Sequence, residues 1–373
     1  MKQGGLAILA LAAACSRSPA PDAAALGRDL FMDPALSHPA GQACMDCHAP
    51  ETAFRDPESD HTTSMGVIEG HFGARNAPSI YYARYVPPLH QEHGRWIGGL
   101  FWDGRGGSLE AQAGGPLLNP LEMANPDHAT VVSDVARYAK RFDELYGNGS
   151  LATPDQGFAH VAEALAAFER SDVFAPFSSK YDQVQRHQAT FTDAEARGQA
   201  LFTGKAGCAT CHPAPMFTDF SYANLGIPKY INSEYFIQTA ELNPAGSDYV
   251  DHGLASVVND PAQDGKFRTP TLRNIARTGP YAHNGYFENL QYLLDFLNTR
   301  DSRSPDPAVK PWSPPEVPAT MDARVGHLGL SPAELSDLEA FLDTLTDERP
   351  TGFPKPTRPQ APAAHSRPGR PRP

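Results

Sequence analysis

The sequence lacks features that mark several other classes of protein. Beyond residues 1–15 it has no uninterrupted apolar run of membrane-spanning length, so we expect a mature protein that is soluble or only tethered. It is short of positive charge. The 31 Lys and Arg stand against 43 Asp and Glu, and the net charge of −12 disfavours a nucleic-acid surface and suits a basic protein partner. Few runs alternate strictly between apolar and polar residues, so strands should be scarce.

Cysteine is scarce too, and its spacing leaves none for a structural disulfide. Apart from Cys15, the cysteines belong to two C-x-x-C-H motifs, which are Cys44, Cys47 and His48 in the first half and Cys208, Cys211 and His212 in the second. Zinc sites and thioredoxin-like centres also use C-x-x-C, but they do not require a histidine in the fifth place twice. In haem attachment the two thiols reach the vinyl groups, and the histidine lies beneath the iron. The sequence therefore predicts two covalently bound c-type haems.

The two ends differ in composition from the rest of the chain. Residues 1–15 carry Lys2 and then an apolar stretch of the length of a signal h-region, which predicts a signal peptide and export to the periplasm. Small residues precede Cys15, so a lipoprotein anchor at that cysteine and a plain secretory signal are both open. Residues 350–373 contain eight prolines, five Lys or Arg and no acidic residue, which predicts a disordered tail.

A faint internal repeat surrounds the two motifs. GRDLF at 27–31 precedes the first motif, and GQALF at 198–202 precedes the second. A Phe-x-Asp sequence follows each motif. Both halves therefore begin with a short helix and continue into a haem loop.

Each half also closes with a helical pattern. Residues 160–170 and 334–345 carry apolar residues at helical spacing, and a Ser-x-x-Glu capping box precedes the second pattern. Helix, haem loop and closing helix together form a cytochrome c module. We therefore expect a mainly α protein with long ordered loops and two cytochrome c-like helical domains, 24–175 and 190–348, each carrying one haem.

Two longer stretches carry a family resemblance. One is GGLFWDGRGGSLEAQAGGPLLNPLE at 98–122, and the other is FRTPTLRNIARTGPYAHNGYF at 267–287. With the two haem motifs, they resemble the bacterial dihaem cytochrome c peroxidases and their MauG relatives over most of residues 26–347. The resemblance implies that the first haem, above His48, is peroxidatic and that the second haem, above His212, transfers electrons.

The resemblance also assigns the distal side of the first haem. It implies an open side lined by Gln112, Pro116 and Glu122, with Trp102 placed to pass electrons between the haems. Independently of it, peroxide cleavage needs a proton moved from one oxygen to the other, and a buried carboxylate with a raised pKa can move it. Glu122 would do this while Gln112 hydrogen-bonds the oxygens. The alternatives are that Glu122 is a solvated surface charge and that Trp102 only packs in the core.

A calcium ion between the haems is implied by the same resemblance. Its ligands would be the side chain of Asn76 and the backbone carbonyls of Thr278 and Pro280. Oxygen ligands suit calcium better than a transition metal. The alternative is that Asn76 caps a turn.

Three histidines also receive roles from the resemblance. His283 matches a histidine near the haem interface, which we interpret as structural or as a relay and not as a ligand. His61 and His71 lie in the loop after the first motif, where some peroxidases carry a histidine that blocks the iron until the second haem is reduced. His71 is the better candidate, and the alternative is an exposed loop histidine.

The sequence departs from the family at the second haem. The family's sixth ligand, Met in peroxidases and Tyr in MauG, lies seventeen residues after the proline of the T-x-P segment, and this position is Leu297 here. Leucine cannot bind iron. Either this iron is five-coordinate, or Tyr292, Met321 or His327 takes the place.

These features predict an oxidoreductase that reduces hydrogen peroxide to water with electrons from a small cytochrome c or cupredoxin. Two alternatives stay open: a MauG-type oxidase that modifies a partner protein, and a non-enzymatic dihaem electron carrier. Ala206, two residues before Cys208, stands where MauG has a surface Trp that carries holes to its substrate, which weakens the first alternative. Dimers are common in the family, so we expect a homodimer by analogy only.

Overall fold

The computed structural model describes residues 21–57, 61–302 and 311–354. The predicted signal peptide with Cys15, and residues 355–373 of the predicted tail, lie outside the described residues. The α-helices of the described chain are Pro21–Phe31 (α1), Cys44–Cys47 (α2), Leu109–Leu118 (α3), His128–Asp134 (α4), Ala139–Tyr146 (α5), Pro154–Glu169 (α6), Lys180–Gln185 (α7), Asp193–Thr203 (α8), Ala255–Val258 (α9), Leu290–Thr299 (α10) and Pro332–Asp343 (α11). None of these described helices combines the length and the apolarity needed to cross a bilayer.

The strands are few and short, and they form two antiparallel pairs. They are His90–Glu92 (β1), Arg95–Ile97 (β2), Tyr222–Ala223 (β3) and Phe267–Arg268 (β4). β1 pairs with β2, His90 opposite Ile97, and β3 pairs with β4, Tyr222 opposite Arg268. The prediction of a mainly helical chain with scarce strands and long loops is confirmed.

The repeated sequence pattern forms the same helix crossing twice. α1 packs across α6, and α8 packs across α11. A Cβ added to Gly27 would lie 1.8 Å from the Ala164 carbonyl oxygen, and one added to Gly198 would lie 1.9 Å from the Asp337 carbonyl oxygen. Only a residue without a Cβ allows the two backbones to approach so closely. The glycine that opens each repeat is therefore the contact point of a helix crossing.

Both closing helices are present, but α6 begins at Pro154, before the predicted segment 160–170, whereas α11 begins directly after the predicted cap Ser331. α6 and α11 contain most of the two predicted segments. At the start of α11 the Ser331 hydroxyl accepts from the Glu334 backbone N–H, and the Glu334 carboxylate accepts from the Ser331 backbone N–H. The predicted capping box is confirmed.

Each crossing anchors its own hydrophobic cluster. The first cluster includes Leu26, Phe31, Phe54, Leu165, Phe168 and Phe174. The second cluster includes Phe202, Phe217, Phe287, Leu294, Phe341 and Leu342. Two separate clusters are what two domains would need, although the bounds 24–175 and 190–348 stay a prediction.

A buried polar network joins the two halves. Arg273, which is 1% exposed, binds both carboxylate oxygens of Asp182 at 2.9 and 2.8 Å. Its guanidinium also lies 5.0 Å from the ring centroid of Tyr82, a member of the first cluster. The Tyr82 hydroxyl donates to Asp347 at 2.7 Å. Because a buried charge is stable only when it is paired, this network fixes the two halves against each other.

Candidate active site

The two motif histidines have the same local geometry. Nδ1 of His48 lies 3.0 Å from the carbonyl oxygen of Phe54, and Nδ1 of His212 lies 2.9 Å from that of Phe217. A carbonyl only accepts, so each Nδ1 carries the proton and each Nε2 presents a lone pair. Burial lowers the pKa of both imidazoles and favours the neutral form that binds metal. The Phe of each Phe-x-Asp sequence therefore orients a metal-binding histidine.

One continuous cavity of about 950 Å³ is lined by both C-x-x-C-H motifs. The four motif cysteines are partly buried, and none of them forms a disulfide among the described residues. Apolar side chains from both clusters complete the walls, among them Phe31, Ile80, Leu165, Phe202, Leu294 and Leu342. Thiols, a neutral imidazole and an apolar wall are the groups that hold a covalently attached haem, so the residues present fit two such groups.

Helix α3 and the residues that follow it supply part of the polar lining of the cavity. Ser108 caps this helix by accepting from the Ala111 backbone N–H. Gln112 lies in α3, Glu122 follows it, and both line the cavity together with His48. The three residues thus share one cavity, and the distal-side and catalytic roles expected for Gln112 and Glu122 stay a prediction.

The carboxyl of Glu122 is held in a defined position. Asn119 Nδ2 donates to its Oε1 at 2.7 Å. Burial raises the pKa of Glu122, and the Asn119 bond and the charge of Arg105 partly counteract this. Glu122 is thus not a solvated surface charge but an acid facing a cavity, able to hold a proton over a wider pH range than an exposed Glu.

Trp102 is fixed between the two halves of the chain. Its Nε1 donates to the carbonyl oxygen of Asn76 at 2.9 Å, and its own carbonyl accepts from the Arg268 backbone N–H at 2.8 Å. Its side chain lines the cavity. This position suits the predicted relay between the haems.

Comparison with known proteins identifies the family. Residues 21–190 match the sequence model described as di-haem cytochrome c peroxidase. The chain is 42% identical to the methylamine utilization protein MauG of Paracoccus denitrificans (strain Pd 1222), over 92% of this chain and 94% of that protein. The chain belongs to this dihaem peroxidase family. It is therefore an oxidoreductase, and its family implies two c-type haems.

Two further relatives support the same family. The cytochrome c551 peroxidase of Nitrosomonas europaea is 30% identical, over 88% of this chain and 81% of that protein. The crystal structure of the diheme peroxidase BthA from Burkholderia thailandensis E264 matches with a TM-score of 0.79 at 34% identity, covering 93% of this chain and 91% of that one. The relatives include both peroxidases and MauG proteins, so membership alone does not choose between these two roles.

The residues that the resemblance implies for calcium all belong to the same cavity. Asn76, Thr278 and Pro280 all line the cavity. Asn76 is buried, and its backbone N–H donates to the carbonyl oxygen of His283 at 2.7 Å. The imidazole of His283 stacks on Phe267 with ring centroids 3.7 Å apart, which suits the structural role predicted for it.

The two loop histidines do not line the cavity in the described chain. Nδ1 of His71 lies 2.9 Å from the carbonyl oxygen of Pro120, two residues before Glu122. His61 pairs with Glu234 at 3.3 Å. In this conformation both are engaged elsewhere, and a role in blocking the iron stays a prediction.

The second haem site has leucine where the family carries a ligand. Leu297 lines the cavity from α10. The other three candidates, Tyr292, Met321 and His327, are not among the described residues that line it. His327 has a side chain that is 62% exposed. In the described conformation none of these three side chains would therefore supply a sixth ligand to a second haem, and the coordination of its iron stays a prediction.

Glu169, near the end of α6, is a cavity residue that the sequence reasoning missed. It is 6% exposed, and its Oε2 has no hydrogen-bond partner among the described residues. Burial raises its pKa to about 8, with Arg170 lowering it and Glu110 raising it. Its position four residues after Leu165, on the buried face of α6, was the available signal.

Proposed function

We propose that this chain reduces hydrogen peroxide to two waters, using two electrons and two protons. The observation that carries the proposal is Glu122, a half-buried acid with a raised pKa, which lines the same cavity as Gln112 and His48. When bound, the first haem supplies an iron with an open coordination position for peroxide, and the second supplies an electron store. The remaining chemistry is proton movement: one proton shifts between the two oxygens of peroxide, and two more are taken up from solvent with the two electrons.

The chain's own residues divide this work. Asn119 holds Oε1 of Glu122 at 2.7 Å, and we assign proton transfer to the other carboxyl oxygen. The Gln112 amide would hydrogen-bond the substrate oxygens. The electrons would come one at a time from a small cytochrome c or cupredoxin and would pass Trp102. The acidic net charge of −12 supports a basic donor.

Replacing the acid tests the proposal. Glu122→Gln keeps the shape but cannot move a proton, so peroxidase turnover should fall by about a hundredfold or more. Glu110→Gln is the matched control, because Glu110 lies on α3 and pairs with Arg170 instead of facing peroxide chemistry. Full turnover in Glu122→Gln would refute the proposal.

A second candidate function is a MauG-type oxidase that modifies a partner protein. The 42% identity to a MauG protein favours it, whereas Ala206 at the position of the hole-carrying Trp counts against it. Titrating the diferric protein with peroxide separates the two. A long-lived oxidised state would favour the oxidase, and rapid turnover with reduced cytochrome c would favour the peroxidase. A non-enzymatic electron carrier would instead have two six-coordinate irons, which low-temperature EPR detects.

Other features belong to the same proposal. Asn76, Thr278 and Pro280 would hold calcium, supported by their presence at one cavity between the motifs. Export to the periplasm, a lipid anchor at Cys15 and a homodimer remain proposals based on the sequence and on family analogy.

A further inference from the structure

A second, smaller pocket adjoins the distal side of the cavity. Its volume is about 290 Å³. Arg105, Ala111 and Gly115 form its exposed rim, and Pro116, Asn119 and Glu122 form its inner end. The pocket therefore begins at solvent and ends at the proposed acid.

The pocket and the main cavity share a wall. Phe101, Arg105, Pro116, Asn119 and Glu122 line both, whereas Ala111 and Gly115 line only the outer pocket. A path between solvent and Glu122 thus runs along one face of α3. None of the described residues that line this outer pocket belongs to a cysteine motif.

Arg105 is fixed at the rim. Its guanidinium carbon lies 3.7 Å from the centroid of the Phe101 ring. Its Nη1 donates to both carboxylate oxygens of Asp103, at 2.9 and 3.0 Å. Asp103 is buried and also pairs with Arg75 at 2.6 Å. A side chain held by stacking and by a bidentate ion pair forms a defined wall, and 45% of it still faces solvent.

We propose that this pocket is the access vestibule of the first haem's distal side, and that Arg105 attracts small anionic ligands to its mouth. The inference rests on the distal side lying at Glu122, as in the proposed function. About 290 Å³ is roughly ten times the 30 Å³ share of one water in the liquid, so hydrogen peroxide, azide and small organic hydroperoxides fit. A protein donor does not fit and must deliver electrons elsewhere.

A large side chain that obstructs the vestibule should change the rates of ligand binding and release. Ala111 is exposed on α3 and touches neither motif, so Ala111→Trp should obstruct the pocket without altering Glu122. Narrowing a path slows passage in both directions. We expect azide binding to the ferric holoprotein, followed by stopped-flow absorbance, to show association and dissociation rates that both fall about tenfold or more, while the equilibrium Kd is unchanged. Ala196→Trp, at an exposed alanine of α8, is the matched control and should change neither rate.

The charge at the rim has its own test. Arg105→Gln should lower the azide association rate about tenfold at low salt and remove its salt dependence, because electrostatic steering of an anion needs the cation. The association rate of nitric oxide, a neutral ligand whose binding needs no proton transfer by Glu122, should be unchanged.

The possible outcomes distinguish a failure of the vestibule proposal from a failure of the proposed function. Unchanged azide rates in Ala111→Trp, or a changed Kd with unchanged association, would overturn the vestibule. If the Trp variant does not fold, Ala111→Met is the smaller plug and must show the same paired slowing. Should Glu122→Gln retain turnover while the plug still slows azide, the proposed function fails and the vestibule stands.

Discussion

Adding one methyl group to either crossing glycine should destabilise one half of the protein. An alanine Cβ at Gly27 or Gly198 would lie 1.8 or 1.9 Å from a backbone oxygen of the facing helix, where ordinary contacts begin at 3.4 Å. The helices would have to separate by more than 1 Å. Overpacking of this kind costs about 3 kcal/mol at the upper end of its usual range, because the obstacle is backbone and cannot change rotamer. The higher helix propensity of Ala relative to Gly offsets about 1 kcal/mol of this cost.

The net loss should therefore be at least about 2 kcal/mol per site, or about 4–8 °C in Tm for a half of this size. The assay is thermal unfolding of the holoprotein, followed by far-UV circular dichroism and by the Soret bands. Gly27→Ala should perturb the first haem and Gly198→Ala the second, because each crossing supports its own cluster. Gly107→Ala is the control, since its new Cβ would meet no atom within 4 Å.

The reasoning fails if both crossing variants unfold like the control. It also fails if Gly27→Ala and Gly198→Ala perturb the same haem, because the two crossings would then not act on separate clusters.

Two further predictions concern the haem sites. Leu297→Met should convert the second haem to a low-spin ferric EPR signal, because the side chain at this position lines the cavity. Leu335→Met, a substitution in the same hydrophobic cluster, is the control and should not change the signal. An unchanged spectrum in Leu297→Met would mean that another ligand is already bound. Glu169→Gln should stabilise the protein increasingly as pH rises from 5 to 8. The folded state keeps a proton up to a pKa of about 8 that the unfolded chain releases near 4.5, so wild-type stability falls across this window by up to about 1.4 kcal/mol per pH unit. A difference in Tm that does not change with pH would contradict the assignment.

The sequence predicted the parts of the site that depend on covalent spacing. Cys44, Cys47 and His48 are neighbours in the chain, so their convergence needs no tertiary information. The capping box at Ser331 is equally local and is present as expected. The repeat predicted a helix before each motif and a closing helix in each half, whereas the crossing of these helices at Gly27 and Gly198 is visible only in the structure.

The parts of the site that depend on long-range packing could not be predicted from local sequence patterns. Glu169 is one charged residue in a helical pattern, and only the fold shows that it faces the cavity without a partner for Oε2. Arg105 reads as a surface charge until the structure shows it stacked on Phe101 above a pocket that ends at Glu122. Both roles depend on contacts between segments that are distant in the sequence. No local sequence pattern predicts that these segments meet.

The two haem sites share a scaffold but differ in what faces them, and this difference bears on the missing ligand. The first site receives Gln112 and Glu122 from α3 and its exit, whereas α10 presents Leu293, Leu294 and Leu297 to the second. Asp322 also lines the cavity, but Arg324 pairs with it and lowers its pKa, so it stays ionised and cannot donate a proton at neutral pH. Asp322 therefore could not act as the acid for peroxide bound at a second haem. If Glu122 is the acid for peroxide chemistry, Glu122→Gln should leave no residual turnover at the second haem, even where its sixth position is open.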